Sequence, residues 1–61
     1  MFIVVDIADK YIRAAETYEE AFRDAINHCV VEGLFVVGFN NGINYKDPDD
    51  GLVKTIIIRE L

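Results

Sequence analysis

His28 and Cys29 are the only side chains here that can supply an imidazole base and a thiol nucleophile. They are adjacent. Successive residues of a helix point about 100° apart, so these two do not face one another. The spacing puts Cys29 on the buried stripe of a helix, where cysteine behaves as a small hydrophobe. It puts His28 on the outer face, one turn after Asp24, as a solvated histidine. With these two as the only soft ligands, the composition also argues against a structural zinc site within one chain. No metal and no cofactor is expected.

The carboxylates offer little more. Asp47-Pro48-Asp49-Asp50-Gly51 resembles a calcium loop in composition, but such a loop needs glycine at position 6 and a bidentate glutamate at position 12. Counted from Asp47, glycine arrives one place early and Ile58 stands where the glutamate belongs. A tight turn is the expected reading, with proline pre-setting φ and Gly51 at positive φ. Gly38 and Asn40-Asn41-Gly42 fit no phosphate loop, because neither lysine with Ser/Thr nor a helix start follows. Asp6 stands apart, mid-strand between Val5 and Ile7. It is either an acid of raised pKa or, as favoured here, the point where that sheet face meets water or a basic partner group. Tyr11, Phe35, Phe39 and Tyr45 suggest a base-stacking sheet. Only Lys10, Arg13, Lys46, Lys54 and Arg59 lie outside the helix to meet phosphates. No catalytic site is expected, and the chain is read as a non-enzyme.

These residues sit on a chain of 61 residues with net charge −5, from six basic and eleven acidic side chains. One small domain spans residues 1–61. A chain this short buries only about 60% of its unfolded surface and is marginally stable. One cysteine excludes an internal disulfide, leaving good packing or association to supply stability. The 52% apolar content argues for a folded chain. The acidic balance disfavours nucleic acid and anionic membranes as direct partners. Met1 to Asp6 lacks the basic start of a signal peptide, and no apolar run reaches the roughly 18–20 residues of a membrane span. With a free cysteine, this suggests the cytoplasm.

The helix is the clearest element. Thr17 with Glu20 fits a capping box, Gly33 a C-terminal stop, and Tyr18, Ala21, Phe22, Ala25, Ile26, Cys29 and Val30 form one stripe. Residues 2–8 read as a strand, with Ile3, Val5 and Ile7 toward the helix and Phe2, Val4 and Asp6 on the opposite face. Residues 11–15 return as a second strand. Leu34 to Phe39 is apolar on both sides, the mark of a central strand. Leu52 to Glu60 is the last strand. Asn40-Asn41-Gly42 is either a two-residue hairpin turn or a bulge in one long hairpin joining 34–46 to 52–60. Strand length favours the bulge, because 43–46 supplies too few partners for the last strand. The expected fold is α+β: a four-stranded, largely antiparallel sheet in ββαββ order with one helix on one face.

One helix covers one face of a sheet. Ile56-Ile57-Ile58 places apolar side chains on both, and Phe2, Val4 and the two-sided third strand add to the surplus. A sheet face open to water should alternate apolar and polar residues. Contiguous exposed apolar surface of a few hundred Å² marks interaction sites, and its burial contributes about 25 cal/mol per Å². The expected function is a small protein-interaction module. It self-associates as a homodimer through the uncovered sheet face, or through a strand edge, and serves a regulatory or accessory role. The interaction residues are Phe2, Val4, Ile56, Ile57 and Ile58, with the acidic Glu19, Glu20 and Asp24. The alternative is an acidic inhibitor or nucleic-acid mimic that docks on a larger nucleic-acid-handling protein, with Glu16, Asp47, Asp49 and Asp50 adding charge. Thr17-Tyr18-Glu19-Glu20-Ala21 after a short hairpin resembles the helix start of many small ββα proteins, including HicB-type antitoxins. The short, acidic, self-contained chain is similar in character to accessory proteins of phages and mobile elements. Neither likeness implies a functional residue.

Overall fold

The computed structural model describes residues 1–61 as one helix packed on a five-stranded antiparallel sheet. The elements are β1 (Phe2–Asp6), β2 (Tyr11–Ala15), α1 (Tyr18–Glu32), β3 (Phe35–Gly38), β4 (Ile43–Lys46) and β5 (Val53–Glu60). The spatial order is β2-β1-β5-β4-β3. The α+β class therefore stands, with five strands in ββαβββ order in place of the expected four.

The extra strand arises at Asn40-Asn41-Gly42. Asn41 and Gly42 both adopt positive φ (60° and 131°), turning the chain fully between β3 and β4. A Cβ on Gly42 would stand 2.2 Å from the carbonyl oxygen of Ile56, so glycine also lets this turn lie against the β5 backbone. Asn44 secures the turn, accepting from the Asn40 N–H (2.7 Å) and donating to its carbonyl (3.1 Å). The length argument for a bulge fails because β5 divides its pairing. Residues 53–56 of β5 pair with β4, and residues 57–60 pair with β1. A smaller register shift does occur in β3, between Val36 and Gly38.

Helix α1 begins and ends as its sequence dictates. Thr17 accepts from the Glu20 N–H at 3.2 Å, satisfying one orphan donor of the first turn. Gly33 takes the left-handed conformation (φ 68°), and the Leu34 N–H closes on the Cys29 carbonyl at 2.8 Å. The buried stripe is shifted from the expected one. Ala21, Ala25, His28 and Cys29 are buried, while Val30 and Tyr18 are exposed. Two alanines on the contact line let the helix lie close to the sheet. The bulkier Phe22 and Ile26 then flank the contact and pack on its rim. Val30 turns to solvent.

Two further expectations are reversed. On β1 it is Phe2, Val4 and Asp6 that meet the helix: Val4 and Asp6 are fully buried, and the Phe2 ring lies edge-on to Tyr18. Ile3 and Val5 point to the bare face, and Ile7 lies in the turn after β1. The apolar count favoured the odd residues because Asp6 marks the even ones as polar. Asp6 is buried because its partners come from distant elements. The two-sided β3 is an edge strand. Its Phe35 and Val37 remain exposed. The central two-sided strand is β5, with Ile56 buried under the helix, Ile58 packed at the edge of that core and Ile57 on the opposite side.

Candidate functional site

Two features stand out, one on each side of the sheet. The first is the bare face, which the register lays out in rows. Val5, Ile12 and Ile57 stand side by side, as do Ile3, Ala14 and Arg59. Antiparallel partners share a face, so these residues form one surface. Ile12 is 67% exposed, and Ile3, Val5 and Ile57 are half-buried only by one another and their neighbours. Further along, Asn44 and Thr55 are joined by a 2.9 Å hydrogen bond. Beyond them come Phe35, Lys46 and Val53. The face thus carries an aliphatic patch on β2-β1-β5, a polar stripe, and a smaller apolar pair near the β3 edge.

Of the interaction residues expected from sequence, Ile57 lies on this surface. Val4 and Ile56 are fully buried beneath the helix. Phe2 and Ile58 pack against the same core. Once the β1 parity is reversed, the open patch is built by Ile3, Val5 and Ile12 around Ile57. Glu19 and Glu20 lie exposed on the first turn of α1, and Asp24 is half-buried on the same helix.

The second feature is a buried polar cluster under the helix. Asp6 closes β1, and its side chain is fully buried. Tyr45 of β4 donates to its Oδ2 at 2.7 Å, and His28 Nε2 lies 3.3 Å from the same oxygen. Asp9, in the turn between β1 and β2, brings its Oδ2 within 3.2 Å of that nitrogen. The Tyr11 ring stacks on the imidazole, with centroids 4.0 Å apart and planes 16° apart. The Arg13 guanidinium lies over the Tyr11 ring, 5.8 Å from its centroid. His28, expected at the solvated face, is therefore 7% exposed and enclosed on three sides. Asp6, expected to meet water or a partner, is met by His28 and Tyr45. A cleft of about 300 Å³, lined by Asp9, Tyr11, Arg13, His28 and Glu32 among others, opens beside the imidazole.

Burial first, then the hydrogen bond to Asp6 and the nearby carboxylates, pushes the Tyr45 phenol well above its ordinary pKa. Burial, and secondarily the charge of Asp6, raises the Cys29 thiol. A thiol that resists ionisation is a poor nucleophile, which agrees with its reading as a core residue. At the 47–51 turn, Lys54 donates to Asp47 (2.7 Å) and Asp50 (2.8 Å). That contact holds both carboxyls below their usual range. The cation in this loop is the protein's own. Among the aromatic residues considered for base stacking, Tyr45 is buried and Phe39 stacks on Phe22.

Sequence reasoning weighed Asp6 and His28 separately and did not join them. Asp6-x-x-Asp9 across a turn was the available signal, since a polar residue at the end of an apolar strand often has a partner brought in by the next loop. The helix of α1 is too short and polar to cross a membrane, and no other helix is present. No family model matches the chain, and no curated protein or solved structure is significantly similar to it.

Proposed function

We propose that this chain is a protein-interaction module, not an enzyme, and that it self-associates through the sheet face opposite α1. The observation that carries the reading is the row Val5, Ile12 and Ile57 with Ile3 beside it. Four aliphatic side chains from three neighbouring strands stand together with no element over them. A water-facing antiparallel sheet would place polar residues there. A second copy is the occupant of choice because the patch is self-complementary in character. It is aliphatic at its centre and carries Arg59 beside it, and a two-fold interface requires one surface to match itself. Small domains of this size gain needed stability by such burial.

Sedimentation equilibrium on the tag-free chain at micromolar concentration tests the reading. A dimer is expected, and Ile12→Asp is expected to give a folded monomer, since Ile12 is exposed in the single chain. A wild-type monomer across that range overturns self-association. A dimer that survives Ile12→Asp and Ile57→Asp but is lost in Val37→Lys moves the interface from the face to the β3 edge.

A further inference from the structure

We propose that Asp6, Asp9 and His28 form a binding site for one divalent transition-metal ion of the zinc class. The donor atoms of the three residues lie within 4.8 Å of one another. His28 Nε2 stands 3.3 Å from one carboxylate oxygen and 3.2 Å from the other. A ring nitrogen carries at most one hydrogen, so Nε2 can donate to only one of these two oxygens. Charge-assisted N–H···O contacts close to about 2.7–2.9 Å, so both distances are long for a simple ion pair. These two separations match a different geometry. Zinc bonds of about 2.0–2.1 Å at tetrahedral angles separate neighbouring donor atoms by roughly 3.3–3.4 Å.

The second observation concerns the other oxygen of the Asp6 carboxylate, which a bidentate Asp6 would bring to the ion. Asp6 Oδ1 is buried and has no hydrogen-bond partner, while the whole side chain is fully buried. Leaving a buried carboxylate oxygen unmet costs more than leaving a neutral group unmet. Lys10 and Arg13 line the adjoining cleft, yet neither forms an ion pair with Asp6 or Asp9. His28 is the one cationic partner either carboxylate has, and a metal ion at the centre of the three donors supplies positive charge in place of a proton on the ring. An imidazole with two carboxylates suits zinc or a neighbouring first-row ion better than calcium or magnesium, which prefer all-oxygen shells. Tyr45 donates to Asp6 Oδ2, the oxygen nearest His28, and fixes the carboxylate as outer partners of metal ligands do. Three protein donors leave coordination open toward the cleft, where Glu32 stands one helical turn beyond His28. Bound there, the ion ties the β1–β2 turn to the helix. The site lies on the helix side of the sheet, so it stands or falls separately from the self-association of the opposite face.

The test is calorimetric titration of the tag-free, chelator-treated chain with zinc chloride, and in parallel with magnesium chloride. One zinc per chain is expected to bind at micromolar concentration or tighter and to raise the melting temperature. Magnesium is expected to bind at least tenfold more weakly. Asp9→Asn, at a half-exposed turn position, is expected to keep the circular dichroism of the fold and to lose at least tenfold in zinc affinity. Asp47→Asn, in the Lys54-filled turn, is expected to leave the affinity unchanged. The absence of saturable zinc binding to the wild-type chain overturns the proposal. So does equal affinity in Asp9→Asn, or magnesium binding as tight as zinc.

Discussion

The two faces of the sheet are made from nearly the same residues and live in different surroundings. Toward the helix stand Val4, Ile43 and Ile56, each fully buried; away from it stand Ile3, Val5 and Ile57, each half-buried, with Ile12 exposed. Residue type does not separate the two sets. What separates them is the line of Ala21, Ala25 and Cys29, whose small side chains let α1 seat closely enough to exclude water from one side. The same closeness brings His28 to Asp6. The covered face thus carries both the core and the only buried polar cluster, and the bare face carries apolar surface with nothing above it.

The sharpest way to break this contrast is a matched pair in β5. Ile56→Ala is expected to cost about 2–5 kcal/mol, most of the roughly 3–5 kcal/mol that a core of this size supplies, and so to unfold much of the population. Ile57→Ala, one residue on, is expected to cost about 1 kcal/mol in the single chain. Urea unfolding followed by circular dichroism reads both. Equal costs would mean that the faces are equally packed. A cost for Ile57→Ala that grows with protein concentration would place a second copy on the bare face.

Next in size is Tyr45→Phe, which removes the shortest hydrogen bond to buried Asp6. A loss of about 1–3 kcal/mol is expected at neutral pH. The same residue predicts an alkaline limit. Its pKa is raised in the folded chain, so the stability it contributes is complete below the unfolded value of about 10 and is lost as pH rises toward the folded one. Wild-type stability should therefore fall above about pH 10, and more steeply than that of Tyr45→Phe. Parallel curves would show that Tyr45 titrates alike in both states.

The smallest effect is expected outside both faces. Lys54→Met removes the cation shared by Asp47 and Asp50. Both carboxyls have lowered pKa values when folded, so their contribution is present above about pH 4 and disappears as pH falls through the folded values. The variant should lose a little stability at neutral pH and none once both carboxyls are protonated in the folded chain. Acid titrations of the two chains, monitored by melting temperature, should converge at low pH. Persistent divergence there would assign the effect of Lys54 to packing.

Local chemistry was legible and distant pairing was not. The Thr17 cap, the Gly33 stop, the bounds of β2 and the 47–51 turn follow from residues within a few positions of one another, and the structure has each as the sequence implies. The surplus of apolar surface on a one-helix sheet was also readable. Its location was not, because the parity of β1 depends on whether Asp6 is solvated or partnered. Its partners, His28 and Tyr45, lie 22 and 39 residues away. The strand count failed for a related reason. Half of β5 pairs with β1 at the far end of the chain, a contact that no local pattern announces.

That division of β5 has a consequence for how the molecule assembles. Residues 1–15 contain one complete hairpin and residues 35–46 another, yet no strand joins them until 53–60 is in place. During synthesis both hairpins leave the ribosome before the strap that makes them one sheet. Isolated two-stranded hairpins are marginal in water, and pairings as remote as Phe2 with Glu60 are slow to find. The two hairpins become one sheet only where the last strand docks between them.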